Sequence, residues 1–204
     1  MTELDVLQGV RLKGRVSRSD LAATLGVDPA HIGPIVEELT AAGLLAEGAT
    51  VQITRRGSDK LATLLAEERE GIDADAMAAA YGDFQAVNTD FKHLVTDWQL
   101  KGGPGGVPNT HEDPEYDAAV LARLDDVHTR TVPIVEAAAT HLPRLNAYAT
   151  KLAAALDKVK AGETAWLSRP LIDSYHTVWF ELHEELIVAV GLTRAEAARS
   201  GDAQ

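Results

Sequence analysis

The sequence predicts a mainly α-helical protein in two parts: an N-terminal winged helix-turn-helix with a small β-hairpin wing over residues 1–70, and an all-α helical bundle over residues 71–204. Three observations predict it. Gly14, Gly26 and Gly43 each close a short stretch with apolar residues at helical spacing. Two β-rich runs around a glycine, in GLLAEGATVQITRRG, follow the third stretch and read as a hairpin. Beyond residue 60 strand signals stop, and long helical periodicities are broken only by KGGPGGVPNTHEDP.

The first helix is expected over residues 3–13, with Leu4, Val6, Leu7 and Val10 inward. Ser17 or Ser19 can cap a second helix whose Leu21, Ala22 and Leu25 face the core. Asp28 and Pro29 then start a third: the carboxylate caps free amides, and the proline ring is already set to helical φ. Ile32, Ile35, Val36 and Leu39 form its buried stripe over residues 29–42, and Pro34 within it removes a backbone donor.

The runs SRSDLAATLGVDPAHIGPIVEELTAAGLL and VQITRRGSDKLATLLAEERE resemble the winged-helix domain of MarR-type bacterial transcription regulators. The resemblance covers roughly residues 4–70. It implies that the helix at 29–42 enters the major groove of DNA and that the wing brings Arg55 and Arg56 to phosphate, with Arg15, Arg18 and His31 as further DNA contacts. The residues of that helix qualify the implication. Its outer face carries Ala30, His31, Gly33, Pro34, Glu37 and Glu38, with none of the Arg, Lys, Asn or Gln side chains that make bidentate base contacts. Affinity would therefore rest on the phosphate backbone.

In the second part, Tyr81, Phe84, Val87, Phe91, Leu94 and Trp98 recur at spacings of three and four between Asp73 and Leu100, the stripe of a helix buried in a bundle or a dimer seam. The glycine- and proline-rich run after Lys101 is expected to be a loop or a lid. A helix restarts at Asp113 and Pro114 and is expected to be interrupted or kinked at Pro133. Another runs from about Pro143 to Lys160, and a last long one from about Pro170 to Val190, with a short helix capped by Thr193 behind it. DPEYDAAVLARLD and SYHTVWFELHEEL are similar to a helical region of actinobacterial proteins, a likeness that brings no activity with it.

Six of the seven histidines lie beyond residue 90. Asp125 and His128 on one helix, with His176 and His183 on another, are candidate ligands for a divalent metal, a set like that of GntR-type regulators with helical effector domains. A pocket for a small-molecule effector is expected among Trp98, Tyr116, Arg123, Trp166, Arg169, Tyr175, His176 and Trp179: large apolar walls with a few polar groups. In both cases core packing accounts for the same spacings.

The bulk properties bound the function. There is no cysteine, which removes disulfides, thiolate metal sites and cysteine nucleophiles and fits a reducing, cytoplasmic compartment. No export signal and no apolar run of membrane-spanning length is present, so no membrane partner is expected. The net charge is −12, with eight basic and eleven acidic residues up to position 70 and eleven and twenty beyond it. That balance opposes indiscriminate nucleic-acid binding. No phosphate loop, HExxH or GxSxG motif occurs, so the chain is not read as an enzyme: no catalytic residue and no cofactor are assigned. The expectation is a homodimeric transcription regulator that binds DNA and a small ligand. Its rivals are a protein-interaction adaptor whose winged helix no longer reads DNA, and a metal-sensing helical domain.

Overall fold

The computed structural model describes residues 1–199, which form a mainly helical chain with two short antiparallel hairpins. The chain divides into two compact units, Met1–Ile72 and the residues from Asp73 onward.

In the first unit, α1 (Glu3–Lys13) is held at its start by reciprocal bonds between Thr2 and Asp5. Ser17 caps α2 (Arg18–Leu25), its Oγ accepting the Asp20 N–H at 3.1 Å. A left-handed Gly26 turns the chain, and Asp28 caps α3 (Pro29–Ala41) through the Ala30 N–H at 2.8 Å. The hairpin β1 (Leu45–Glu47) and β2 (Val51–Ile53) follows, paired Leu45 to Ile53, and Val16 bridges to Val51 on its free side. Val6, Leu7, Val10, Leu21, Ile32, Val36, Val51 and Leu61 make the core.

Thr54 joins the hairpin to α4 (Arg55–Glu70). Its hydroxyl donates toward the Gly43 and Leu44 carbonyls at 2.8 and 3.0 Å and accepts the Gly57 N–H at 3.0 Å. A Cβ on Gly57 would stand 2.0 Å from the Leu44 carbonyl oxygen, so only glycine lets this helix start lie so close to the hairpin. Because Thr54 caps α4 directly after β2, Arg55 and Arg56 stand in the first helical turn. This corrects the expectation that they belong to the hairpin, whose tip, Gly48 to Thr50, has no cation.

The second unit contains four long helices, α5 (Ala74–Gln99), α6 (Pro114–Ala139), α7 (Asn146–Lys160) and α9 (Tyr175–Ala189). Helix α5 packs on α6 and α9, α6 on α7, and α7 on α9, so the four surround one core. The whole Tyr81-to-Trp98 stripe is buried, each large apolar side chain contributing about 1.5–3 kcal/mol.

Three expectations change here. Residues 100–108 carry a two-residue ladder, β3 (Leu100–Lys101) with β4 (Val107–Pro108), instead of a structureless loop. Buried Asn109 pins its base, the backbone N–H donating to Gln99 O at 2.8 Å and Nδ2 to Trp98 O at 3.1 Å and Asp117 Oδ1 at 2.8 Å. Helix α6 continues through Pro133, because burial of Thr131, Val135 and Ala138 against its neighbours outweighs a local penalty of about 3 kcal/mol.

The last long helix starts at Tyr175 and not at Pro170. The short α8 (Ala165–Ser168) stops before Arg169, which Pro170 holds extended, and Leu171 is exposed with φ of 69°. Ser174 then provides the cap. Thr193 caps α10 (Arg194–Arg199), exchanging bonds with Glu196. No described helix is long and apolar enough to cross a membrane.

Candidate functional site

Exposed cations of the first unit that could meet phosphate are Arg15, Arg55 and Arg56; exposed His31 lies in the first turn of α3. Arg18, expected among them, is already engaged. Its guanidinium grips Glu47 of β1 in a two-pronged contact, with Nη2 to Oε2 at 2.7 Å, and reaches Glu37 of α3 at 3.1 Å. The Glu47 bond, then the Glu37 bond, raise the Arg18 pKa further, and the same guanidinium lowers that of Glu47. One cation thus faces two carboxylates, a cluster of net −1 that links α2, α3 and the hairpin.

The eight residues expected to line one pocket lie in three places in the second unit. Trp98, Tyr116 and Arg123 meet near the end of α5, where each is occupied by the protein. The Trp98 ring lies 4.4 Å from that of His111, the Tyr116 hydroxyl donates to Asp97 O at 3.0 Å, and Arg123 pairs with Asp97 at 2.7 Å. Trp166 on α8 sits under the Lys158 ammonium at 4.8 Å, and Arg169 is exposed beyond it. Tyr175, His176 and Trp179 stack around Phe91, at 5.5, 6.0 and 4.3 Å between ring centres.

Of the eight, Arg123 lines one cleft with Asp90, His93 and Asp126, whereas His176 and Trp179 line a separate one of about 230 Å³ between α5 and α9. Helix α5 contributes Asn88, Phe91, Lys92, Val95 and Thr96, and α9 adds Phe180 and His183. Trp179 is fixed as a wall: its Nε1–H donates to Asn88 Oδ1 at 2.9 Å, and its ring also stacks on Phe84 at 4.9 Å. The sequence held a signal for the α5 side, because Asn88, Lys92 and Thr96 repeat every four residues and so form a polar stripe beside the aromatic one.

The four proposed metal ligands do not assemble, and among the described residues no three His, Asp or Glu side chains are grouped to hold an ion. Asp125 pairs with Lys160 at 2.6 Å, and His128 Nδ1 lies 3.3 Å from the Tyr175 hydroxyl. His176 rests on Phe91, while His183 is buried near Phe84 and Tyr81. Burial lowers the pKa of both His128 and His176, so these rings favour the neutral form.

Helix α9 also buries three carboxylates, each met by a cation. Glu181 lies 3.9 Å from Lys151, Glu184 lies 3.1 Å from Arg194, and Glu185 binds Arg144 and accepts from the Tyr148 hydroxyl at 3.4 Å. Burial first, and then Glu185, push the Tyr148 pKa well above its ordinary value. These pairs join α9 to the elements packed around it.

Comparison with protein-family models, curated proteins and solved structures finds no match for this chain.

Proposed function

We propose that the protein is a homodimeric transcription regulator of the winged-helix type. Its first unit binds DNA mainly through the phosphate backbone, and its helical bundle binds a small ligand. The observation that carries the reading is the order α2, tight Gly26 turn, capped α3 and hairpin, with α3 amphipathic and its polar side exposed. Self-association would give the two α3 helices that a two-half-site operator needs.

Arg15, Arg55 and Arg56 neutralise phosphate in this reading, and the amide end of α3 with His31 adds a weaker contact. The test is retention on duplex DNA from the protein's own upstream region as salt is varied. Three phosphate contacts per protomer give a slope of log K against log salt of about −2.7 per protomer. A flat response, or a monomer by light scattering, overturns the proposal.

A second reading, an adaptor that binds protein through the same surface, is favoured by the Arg18 cluster. Two carboxylates neutralise the cation between α3 and the hairpin, and the tip offers no other. Salt-insensitive behaviour toward DNA together with specific capture of a basic partner would support it.

A further inference from the structure

We propose that the cleft between α5 and α9 binds a small apolar monocarboxylate. The proposal rests on the reading of the helical unit as a ligand-binding unit and names the chemical class. In a chain of net charge −12, none of the residues lining this cleft is acidic. The permanent charge in the lining is the Lys92 ammonium. Five of the other six lysines stand within 4 Å of a carboxylate, whereas Lys92 makes no ion pair among the described residues. A half-buried lysine whose charge is left uncompensated beside aromatic walls favours an anion, and excludes a cationic ligand by repulsion.

The remaining lining limits how polar that anion can be. Asn88 Oδ1 is taken by the Trp179 indole, and the Thr96 hydroxyl donates to the Lys92 carbonyl at 2.9 Å. Phe91, Val95, Trp179 and Phe180 supply apolar surface. His176, whose ring nitrogens have no protein partner among the described residues, can offer one neutral hydrogen bond beside Lys92. One cation and so few free donors cannot satisfy a phosphate ester or a sugar, but they match a single carboxylate on an apolar body. A cavity of about 150 Å³ accepts benzene, so the 230 Å³ here suits a six-carbon chain or a single ring.

The experiment titrates the full-length protein with hexanoate, its neutral isostere hexanamide, and hexylammonium, reading tryptophan fluorescence and heat. Hexanoate is expected to bind at least about tenfold more tightly than hexanamide, and hexylammonium to give no response. Trp179→Phe should abolish the fluorescence change while the heat remains. Lys92→Met should remove the preference for hexanoate over hexanamide, whereas Lys92→Arg should keep it. Circular dichroism of each variant separates loss of the fold from loss of the charge.

Equal affinity for hexanoate and hexanamide, or an unchanged preference in Lys92→Met, overturns the carboxylate assignment while leaving a ligand-binding unit. Silence toward all three compounds overturns both. Retention on DNA is read separately and does not enter either outcome.

Discussion

Glu37→Gln with Glu47→Gln should convert Arg18 from a structural clamp into a phosphate contact. In the native chain its guanidinium is shared between two carboxylates; in the double variant the same cluster changes from net −1 to net +1. One added phosphate contact steepens the salt slope by about 0.9. If the salt-independent part of the affinity is unchanged, that slope gives about 15-fold tighter binding at 0.05 M salt and about fourfold at 0.2 M. Fluorescence anisotropy on a mixed-sequence duplex across this range measures both quantities. Arg18→Gln in the native background is the matched control and should change the slope by much less than 0.9, whereas Arg15→Gln should reduce it by about that amount. The reasoning is refuted if the double variant keeps the native slope, or if Arg18→Gln alone loses a full contact.

Gly57→Ala should destabilise the first unit by about 3 kcal/mol, because the added methyl meets a backbone oxygen that cannot move without shifting the hairpin; a thermal-midpoint loss worth less than about 1 kcal/mol would contradict the close approach. Arg144→Met should cost about 3–5 kcal/mol by leaving the buried Glu185 carboxylate without its guanidinium, and adding Glu185→Leu should recover most of it. Chemical denaturation of the two variants tests this, and equal stability of single and double variants would count against it. The lowered pKa values of His128 and His176 predict loss of stability in acid: below the ordinary value of 6.5 the unfolded chain takes up protons that the folded rings refuse. Stability is therefore full above about pH 6.5 and falls as pH drops toward the folded values, and His128→Gln with His176→Gln should flatten melting curves over that window.

Much of the helical framework is legible in the sequence because it is set by local chemistry. Asp28 and Asp113 each cap the helix that the proline after them announces, and the stripe from Tyr81 to Trp98 is buried as its period of three and four requires. The departures arise where distant parts of the chain decide. Pro133 is tolerated because packing around α6 overrides the local rule, and the helix before Tyr175 fails to form because Pro170 and the left-handed Leu171 set the backbone first. The eight expected pocket residues share a chemical type, aromatic or basic, and nothing local places Trp98 and Trp166 apart from Trp179. Lys92 shows its significance only when its lack of a carboxylate partner among the described residues is seen in three dimensions.

The Arg18 cluster shows why counting charges along one helix face misjudges an interface. Glu37 reads as a repulsive group on the side of α3 that would approach phosphate, and Arg18, nineteen residues earlier, as an attractive one. In the folded unit they are one object with Glu47, so removing the acid frees the base as well as ending the repulsion. The same bonds fasten β1 to the start of α2 and, through Arg18, to the polar face of α3. Freeing Arg18 should therefore strengthen electrostatic attraction while loosening the hairpin's tether to α2 and α3. The two effects separate by salt: the attraction is screened as ionic strength rises, whereas a hairpin that has lost its tether stays loose at every salt concentration.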